Sequence, residues 1–301
     1  MRRRELLAAG ALAAAGIPLS PGFERGGGAA RQPRFIFVVN NGGWDPTRVF
    51  AAEFGNAHVA MERDAEPATV AGLRFVDHPG RPNVRSFMKE WGSRSLVLNG
   101  LAVPSVVHAN CQGLGTVDNA PRCTAGDEEQ GASGQFSGWW SALGIQPAAS
   151  LSFAPGSWDT HRDNDVGQNR NFEALFVGLR ALMARLATTR VSGAGSLADE
   201  TVVVVLSEMG RTPHINAAAG KDHWPYTSMM MVGTNIPGGR VMGGYDPLFY
   251  GRKIDLASGE IDDHSGTELS VDVMRATLVA MAGVDGERHR PSVPRLEGIL
   301  L

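Results

Sequence analysis

The sequence predicts an α/β fold, a three-layer sandwich with a mainly parallel central sheet. Three observations carry the prediction. Short, uninterrupted apolar runs such as Thr201–Leu206 read as strands buried on both faces. Helical periodicity separates some of these runs, so strands and helices alternate. Each run also gives way abruptly to carboxylate, imidazole or guanidinium groups, the way an α/β enzyme presents polar groups at the carboxyl ends of its strands.

The first strand of the mature chain spans Arg34–Val39 and leads into Asn40-Asn-Gly-Gly-Trp-Asp, whose glycines permit a tight turn that presents Asp45 at a sheet edge. Between Ala51 and Gly80 no helix is predicted. Ser95-Leu-Val-Leu-Asn-Gly is a second buried strand, and residues 108–138 form a long loop rich in Gly, Ser and acids. Phe172, Leu175, Phe176, Leu179, Leu182, Met183 and Leu186 share one face of a helix. The Thr201 strand follows, and then the strand Ser228–Gly233, whose three methionines suit a pleated core ribbon better than a copper site. A second amphipathic helix runs from about Glu268 to Ala282 and stops at Gly283.

With 301 residues, 43% of them hydrophobic, the chain can bury one large core, and residues 31–301 are read as one domain. A net charge of −3 and no visible basic stripe exclude sequence-independent nucleic-acid binding, which needs clustered Lys and Arg. Residues 1–30 read as an export signal, with a basic start, an apolar stretch too short to span a bilayer and small residues after it. Arg3-Arg4 before Leu6-Leu7 resembles the twin-arginine type, an ordinary secretory signal being the other reading. Either route predicts a mature protein without a stable membrane span, working in the periplasm or outside the cell. Two cysteines, Cys111 and Cys123, are too few for a disulfide framework, and a single bond between them stays open.

Four polar clusters follow strand-like runs: Trp44-Asp45, Trp158-Asp159-Thr160-His161, Ser207-Glu208 with Arg211, and Asp222-His223. An Asp-x-His triplet in extended backbone points both side chains to one side, where they can clasp a cation. Glu208, Asp222 and His223 extend the oxygen and nitrogen set expected for zinc, or for manganese, iron or calcium where oxygen prevails. Each group also has a plainer reading. Asp45 suits a turn or helix cap, Asp222 and His223 a local hydrogen bond, and Glu208 a pairing with Arg211. His58, His78 and His289 read as surface histidines. Recurrence favours the metal reading, because carboxylates and imidazoles at successive strand ends are costly to bury unless they share a ligand.

Gly156–Asn164, Ser207–Asn216 and Gly220–Pro225 resemble the WDTHxxN, GEFGRTPxxN and GRDHWP motifs of the bacterial family known as domain of unknown function 1501, placed in the alkaline phosphatase and sulfatase superfamily. The resemblance runs from Phe35 to the C-terminus and is most specific over Ser157–Gly244. It implies metal ligands at strand ends around an activated nucleophile, with Asp45, Asp159, His161, Glu208, Asp222 and His223 as the ligand candidates. Met209 stands where the superfamily has a histidine, and one residue rather than three separates Asp159 from His161. Thr124 matches the nucleophile position and reads alternatively as a helix cap. Cys123 is similar to a formylglycine-forming cysteine, except that Asp127 replaces the motif's arginine. Arg211 would offset the substrate's charge, and His108 either orients the substrate or is structural.

The function expected is hydrolysis of a small-molecule or polymer phosphate or sulfate ester by an exported metalloenzyme, with the twin-arginine export machinery as the transient partner. The alternative is a non-catalytic extracytoplasmic binding or assembly protein on the same fold. A redox cofactor reading has no GxGxxG after an early strand to support it.

Overall fold

A computed structural model describes residues 33–107, 147–151, 156–191, 195–283 and 293–300. Residues 1–30, read above as an export signal, and Cys111, Cys123, Thr124, Asp127, His108 and His289 lie outside those residues.

The apolar runs form a six-stranded sheet in the order β10-β4-β9-β6-β1-β5. Its strands are β1 (Arg34–Val39), β4 (Ser95–Ala102), β5 (Pro147–Leu151), β6 (Thr201–Leu206), β9 (Tyr226–Gly233) and β10 (Arg240–Gly243). Between them lie the hairpin β2 (Glu66–Val70) and β3 (Leu73–Asp77), and the short ladder β7 (Gly210–Arg211) with β8 (His223–Trp224).

The expected mainly parallel pairing is corrected to a mixed sheet. β1 runs parallel to β5 and β6, and β10 parallel to β4, whereas β9 is antiparallel to both β4 and β6. The cause lies between Leu206 and Tyr226. A parallel return needs a long crossover, usually a helix. This segment instead folds into the β7–β8 ladder, so the chain comes back beside β6 in the opposite direction. The pairings leave the other five strands pointing one way, and the carboxyl ends of β1, β4, β5 and β6 therefore share an edge with the start of β9.

Three α-helices are present among the described residues. α1 (Pro82–Trp91) starts on a proline and buries Val84, Phe87 and Met88; no sequence expectation covered it. α2 (Asn164–Thr188) extends two turns before the apolar stripe at Phe172, and those turns bury Asn164, Gln168 and Asn171. α3 (Val271–Met281) begins where the Ser270 hydroxyl accepts the Val273 amide at 3.3 Å.

Strand alternation divides the core in two. Ile36, Val38, Val203 and Val205 pack with Phe87 of α1 and Phe172, Phe176 and Leu179 of α2. Phe35, Phe37, Val202 and Val204 pack with Val273, Met274 and Leu278 of α3 on the other face. Burying an apolar side chain of this size contributes about 1.5–3 kcal/mol, so these two layers dominate the stability of the fold. Met229, Met230 and Met231 are buried in this core. Among the described residues, no helix is long and apolar enough to cross a membrane.

Candidate metal centre

The glycine turn after β1 holds the frame of the site. Glu208 accepts the Gly42 amide at 2.7 Å and the Gly43 amide at 3.4 Å, and Ser207 Oγ donates to the Asn40 carbonyl at 2.7 Å. Gly42 sits at φ 118°, where a β-carbon would lie 2.6 Å from the Asp159 nitrogen, so the turn and the Trp158–Asp159 backbone are in direct contact. Trp158 is buried edge-on against Trp44 and Phe172, with centroids at 6.2 and 4.7 Å. The buried polar start of α2 completes the support: Thr160 Oγ1 donates to Asn164 Oδ1 at 2.7 Å and accepts from Gln168 Nε2 at 3.0 Å.

On this frame three side chains converge. Asp159 Oδ1 lies 3.1 Å from His161 Nε2 and 3.2 Å from His223 Nε2, and the two ring nitrogens are 3.0 Å apart. Ligands on an ion at ~2.1 Å sit about 3.0 Å apart when cis in an octahedron and about 3.4 Å apart in a tetrahedron. The observed triangle therefore has the size of one face of a metal coordination shell.

The outer contacts set the chemistry of that triangle. His161 Nδ1 faces Asp222 Oδ1 at 2.8 Å, and His223 Nδ1 faces the Val106 carbonyl at 2.6 Å. Both partners only accept, so each neutral imidazole carries its proton on Nδ1 and turns an Nε2 lone pair toward the other. Two lone pairs and a carboxylate oxygen repel until a cation, either a metal ion or a proton, lies among them. A histidine whose far nitrogen is tied to a carboxylate or carbonyl is also the usual arrangement behind a bound metal. The residues thus fit a divalent ion.

Asp159 Oδ1 also accepts Arg211 Nη2 at 2.6 Å. Burial raises the Asp159 carboxyl, but Arg211 outweighs it and holds the group below the usual carboxylate range. The His161 hydrogen bond likewise lowers Asp222.

The loop from Arg211 to His223 is tied to His161 at two points. Asn216 donates to the His161 carbonyl at 3.1 Å while its Oδ1 accepts the Ala218 and Gly220 amides, each at 2.9 Å. A β-carbon at Gly220 would meet the His161 carbonyl oxygen at 1.9 Å, so only glycine allows this approach.

The other sequence candidates have different places. Asp45 is fully buried and caps the turn Pro46–Arg48, which agrees with the capping reading. Its oxygens are taken by Thr47, Asn164 and Lys221, the last at 2.9 Å, with Arg48 at 3.5 Å. Burial raises its carboxyl, yet Arg48 and Lys221 together bring it far below the usual range. Burial in turn draws the Lys221 ammonium down to about 8, against the pull of Asp45. Glu208 holds the glycine turn, and Asp222 stands behind His161, so neither belongs to the converging triangle. Met209 is buried against Val103.

Arg211 also has a place different from the one expected. It is fully buried, and besides Asp159 it donates to the carbonyls of Gly42, Gly43, Trp158 and Lys221. It positions Asp159 from beneath. His78, expected on the surface, is half-buried, with Nε2 3.1 Å from the Arg63 carbonyl and 3.4 Å from Glu62. Sequence reasoning missed Lys221, Asn216 and the Val106 carbonyl; Lys221 and Asn216 each carried a signal, as residues of their motifs.

Fold and site together define a mixed α/β protein with a two-histidine, one-carboxylate cluster at the edge where most of its strands end. Residues 148–288, which contain all three motifs, match the model of a family described as a protein of unknown function, DUF1501. No curated protein and no solved structure matches the chain.

Proposed function

We propose that this protein is an exported metal-dependent hydrolase of phosphate or sulfate esters, with its metal held by Asp159, His161 and His223. The observation that carries the reading is the convergence of two Nε2 lone pairs and a carboxylate oxygen within 3.0–3.2 Å, each imidazole oriented from behind by an acceptor. Zinc is the first choice for a site with two imidazoles, and manganese or iron would also suit it. A bound divalent ion would supply Lewis acidity, polarising the ester oxygen and acidifying the attacking hydroxyl or water.

The chain's own residues do the rest. Arg211 fixes the Asp159 rotamer through Nη2, and Asp222 and Val106 hold the two imidazoles as neutral donors of a lone pair. A depression of about 390 Å³ opens beside Asp159 and His161 and gives a substrate room to approach. Thr124 remains the proposed nucleophile and His108 the proposed orienting group, both on the resemblance to the alkaline phosphatase and sulfatase superfamily. That resemblance, with the twin-arginine-like start, also supports the three-layer phosphatase-like sandwich and the periplasmic or extracellular location.

The burial of Met209 favours a second reading, a non-catalytic extracytoplasmic binding protein, since the residue at the superfamily's histidine position packs against Val103 instead of facing a ligand. Metal analysis of the protein exported by its native route tests the first step. One equivalent of metal is expected, and Asp159→Ala combined with His161→Ala should remove it. A metal-free protein whose melting is indifferent to chelator would sink the proposal and leave the converging nitrogens to share a proton. Aryl phosphate and aryl sulfate turnover by wild type above Thr124→Ala would then separate the enzyme from the binding protein.

A further inference from the structure

Burial of Arg211 leaves the proposed ester without the cation that was to balance its charge. The depression beside the metal triangle supplies other candidates. Its wall includes Asp159 and His161, with Arg162 and Asp163 just before α2 and Arg170 in the helix itself. Arg162 and Arg170 are both exposed there. Each is anchored at its backbone: Arg162 pairs with Ala219 in an isolated bridge, and Arg170 lies within the second turn of α2. Neither guanidinium forms an ion pair among the described residues, whereas Arg48, Arg81 and Arg211 are all buried against carboxylates.

The charge of the wall points the same way. Two guanidiniums face two carboxylates, Asp159 and Asp163, so the wall is balanced when no metal is present. A divalent ion in the triangle would leave it two positive charges in excess, the complement of a dianion. At about 390 Å³ the depression is near the lower end of the ~300–1,000 Å³ typical of ligand pockets, which suits a small anionic group more than a bulky apolar one.

Resting on the metal-hydrolase reading, we infer that Arg162 and Arg170 form the anion subsite of the centre. They bind the non-bridging oxygens of a phosphate or sulfate group whose other side faces the metal. Arg suits this role because its planar fork meets two oxygens of an oxyanion at once.

Inorganic phosphate is the probe, titrated calorimetrically into the metal-loaded protein, with metal content measured on every sample. Wild type should bind phosphate, and the double variant Arg162→Gln, Arg170→Gln should keep its metal and its melting temperature while losing about tenfold or more in phosphate affinity. Arg162→Lys with Arg170→Lys should recover part of that loss and show a steeper dependence on salt. Undiminished phosphate binding by the metal-loaded glutamine variant overturns the subsite and leaves the metal reading intact. Wild type that holds metal yet binds no phosphate has the same meaning. Wild type without metal removes both, and the metal analysis identifies that case.

Discussion

Replacing Asp222 by Asn separates the metal reading from a merely structural one. Asp222 Oδ1 stands 2.8 Å from His161 Nδ1, and the side chain is 59% exposed. In the metal-free protein so exposed a partner contributes only about 0–1 kcal/mol to folding, because solvent screens it. Behind a metal ligand the same carboxylate fixes the tautomer and strengthens the imidazole, and losing such a partner costs about 10–100-fold in metal affinity. At a fixed saturating metal concentration that is about 1.4–2.7 kcal/mol of lost holo stability. For a domain of this size it corresponds to roughly 3–10 °C in melting temperature. The assay is a pair of melting curves for each protein, one with zinc and one with chelator, plus a zinc titration against a competing chelator. The Asn variant should match wild type in chelator and fall below it in zinc. Equal zinc affinities, or an equal loss with and without metal, would refute the reasoning and reduce Asp222 to an ordinary surface partner of His161.

Two further outcomes follow from the frame. Asp45→Asn leaves Lys221 buried without its carboxylate, while Arg48 keeps Asp165, so stability at neutral pH should drop by about 3–5 kcal/mol in urea unfolding. The Asp45 carboxyl is lowered from an ordinary value of 3.8, so its contribution is present above that value and lost as pH falls through the acid range. The gap between wild type and the Asn variant should therefore hold steady between about pH 5 and pH 7 and narrow progressively below about pH 4; a gap independent of pH across the acid range argues against a buried pair. Gly220→Ala should detach the motif loop from His161, since the added carbon meets backbone at 1.9 Å and no rotamer relieves it. Its metal content should fall well below one equivalent while α1 and α2 keep their amide protection, and full metal content would contradict the proposed coupling.

Hydrophobic pattern alone located β1 and β6, because a strand buried on both faces admits little except apolar, largely β-branched residues. α1 escaped because only Val84, Phe87 and Met88 mark its buried face, among Arg, Lys and Glu. The hairpin β2–β3 escaped because its turn is Ala71-Gly72, with Ala71 at φ 51°, where Asn or Asp is the usual signal. The reversal of β9 depends on the β7–β8 pairing, a contact between residues more than ten apart that no local period reports.

The site shows the same limit at the level of single atoms. Trp44-Asp45 and Trp158-Asp159 are the same dipeptide, each placed after a strand, yet their carboxylates have opposite roles. Asp45 meets Arg48 and Lys221 in a fully buried pair, whereas Asp159 is partly exposed and shares its oxygen with two imidazoles and Arg211. What separates them is the company supplied by distant segments, and Lys221-Asp222-His223 supplies much of it. These three consecutive side chains go to three environments: Lys221 inward to Asp45, Asp222 behind His161, and His223 into the triangle. In near-extended backbone successive side chains leave on opposite sides, so the pairing of His223 with Arg211 sets all three at once. A slip of one residue in that ladder would carry His223 away from Asp159 and Lys221 away from Asp45 together. Stability and metal binding should therefore fail jointly for substitutions that disturb the β7–β8 register, and separately for Asp45 and Asp222, whose contacts lie on different sides of it.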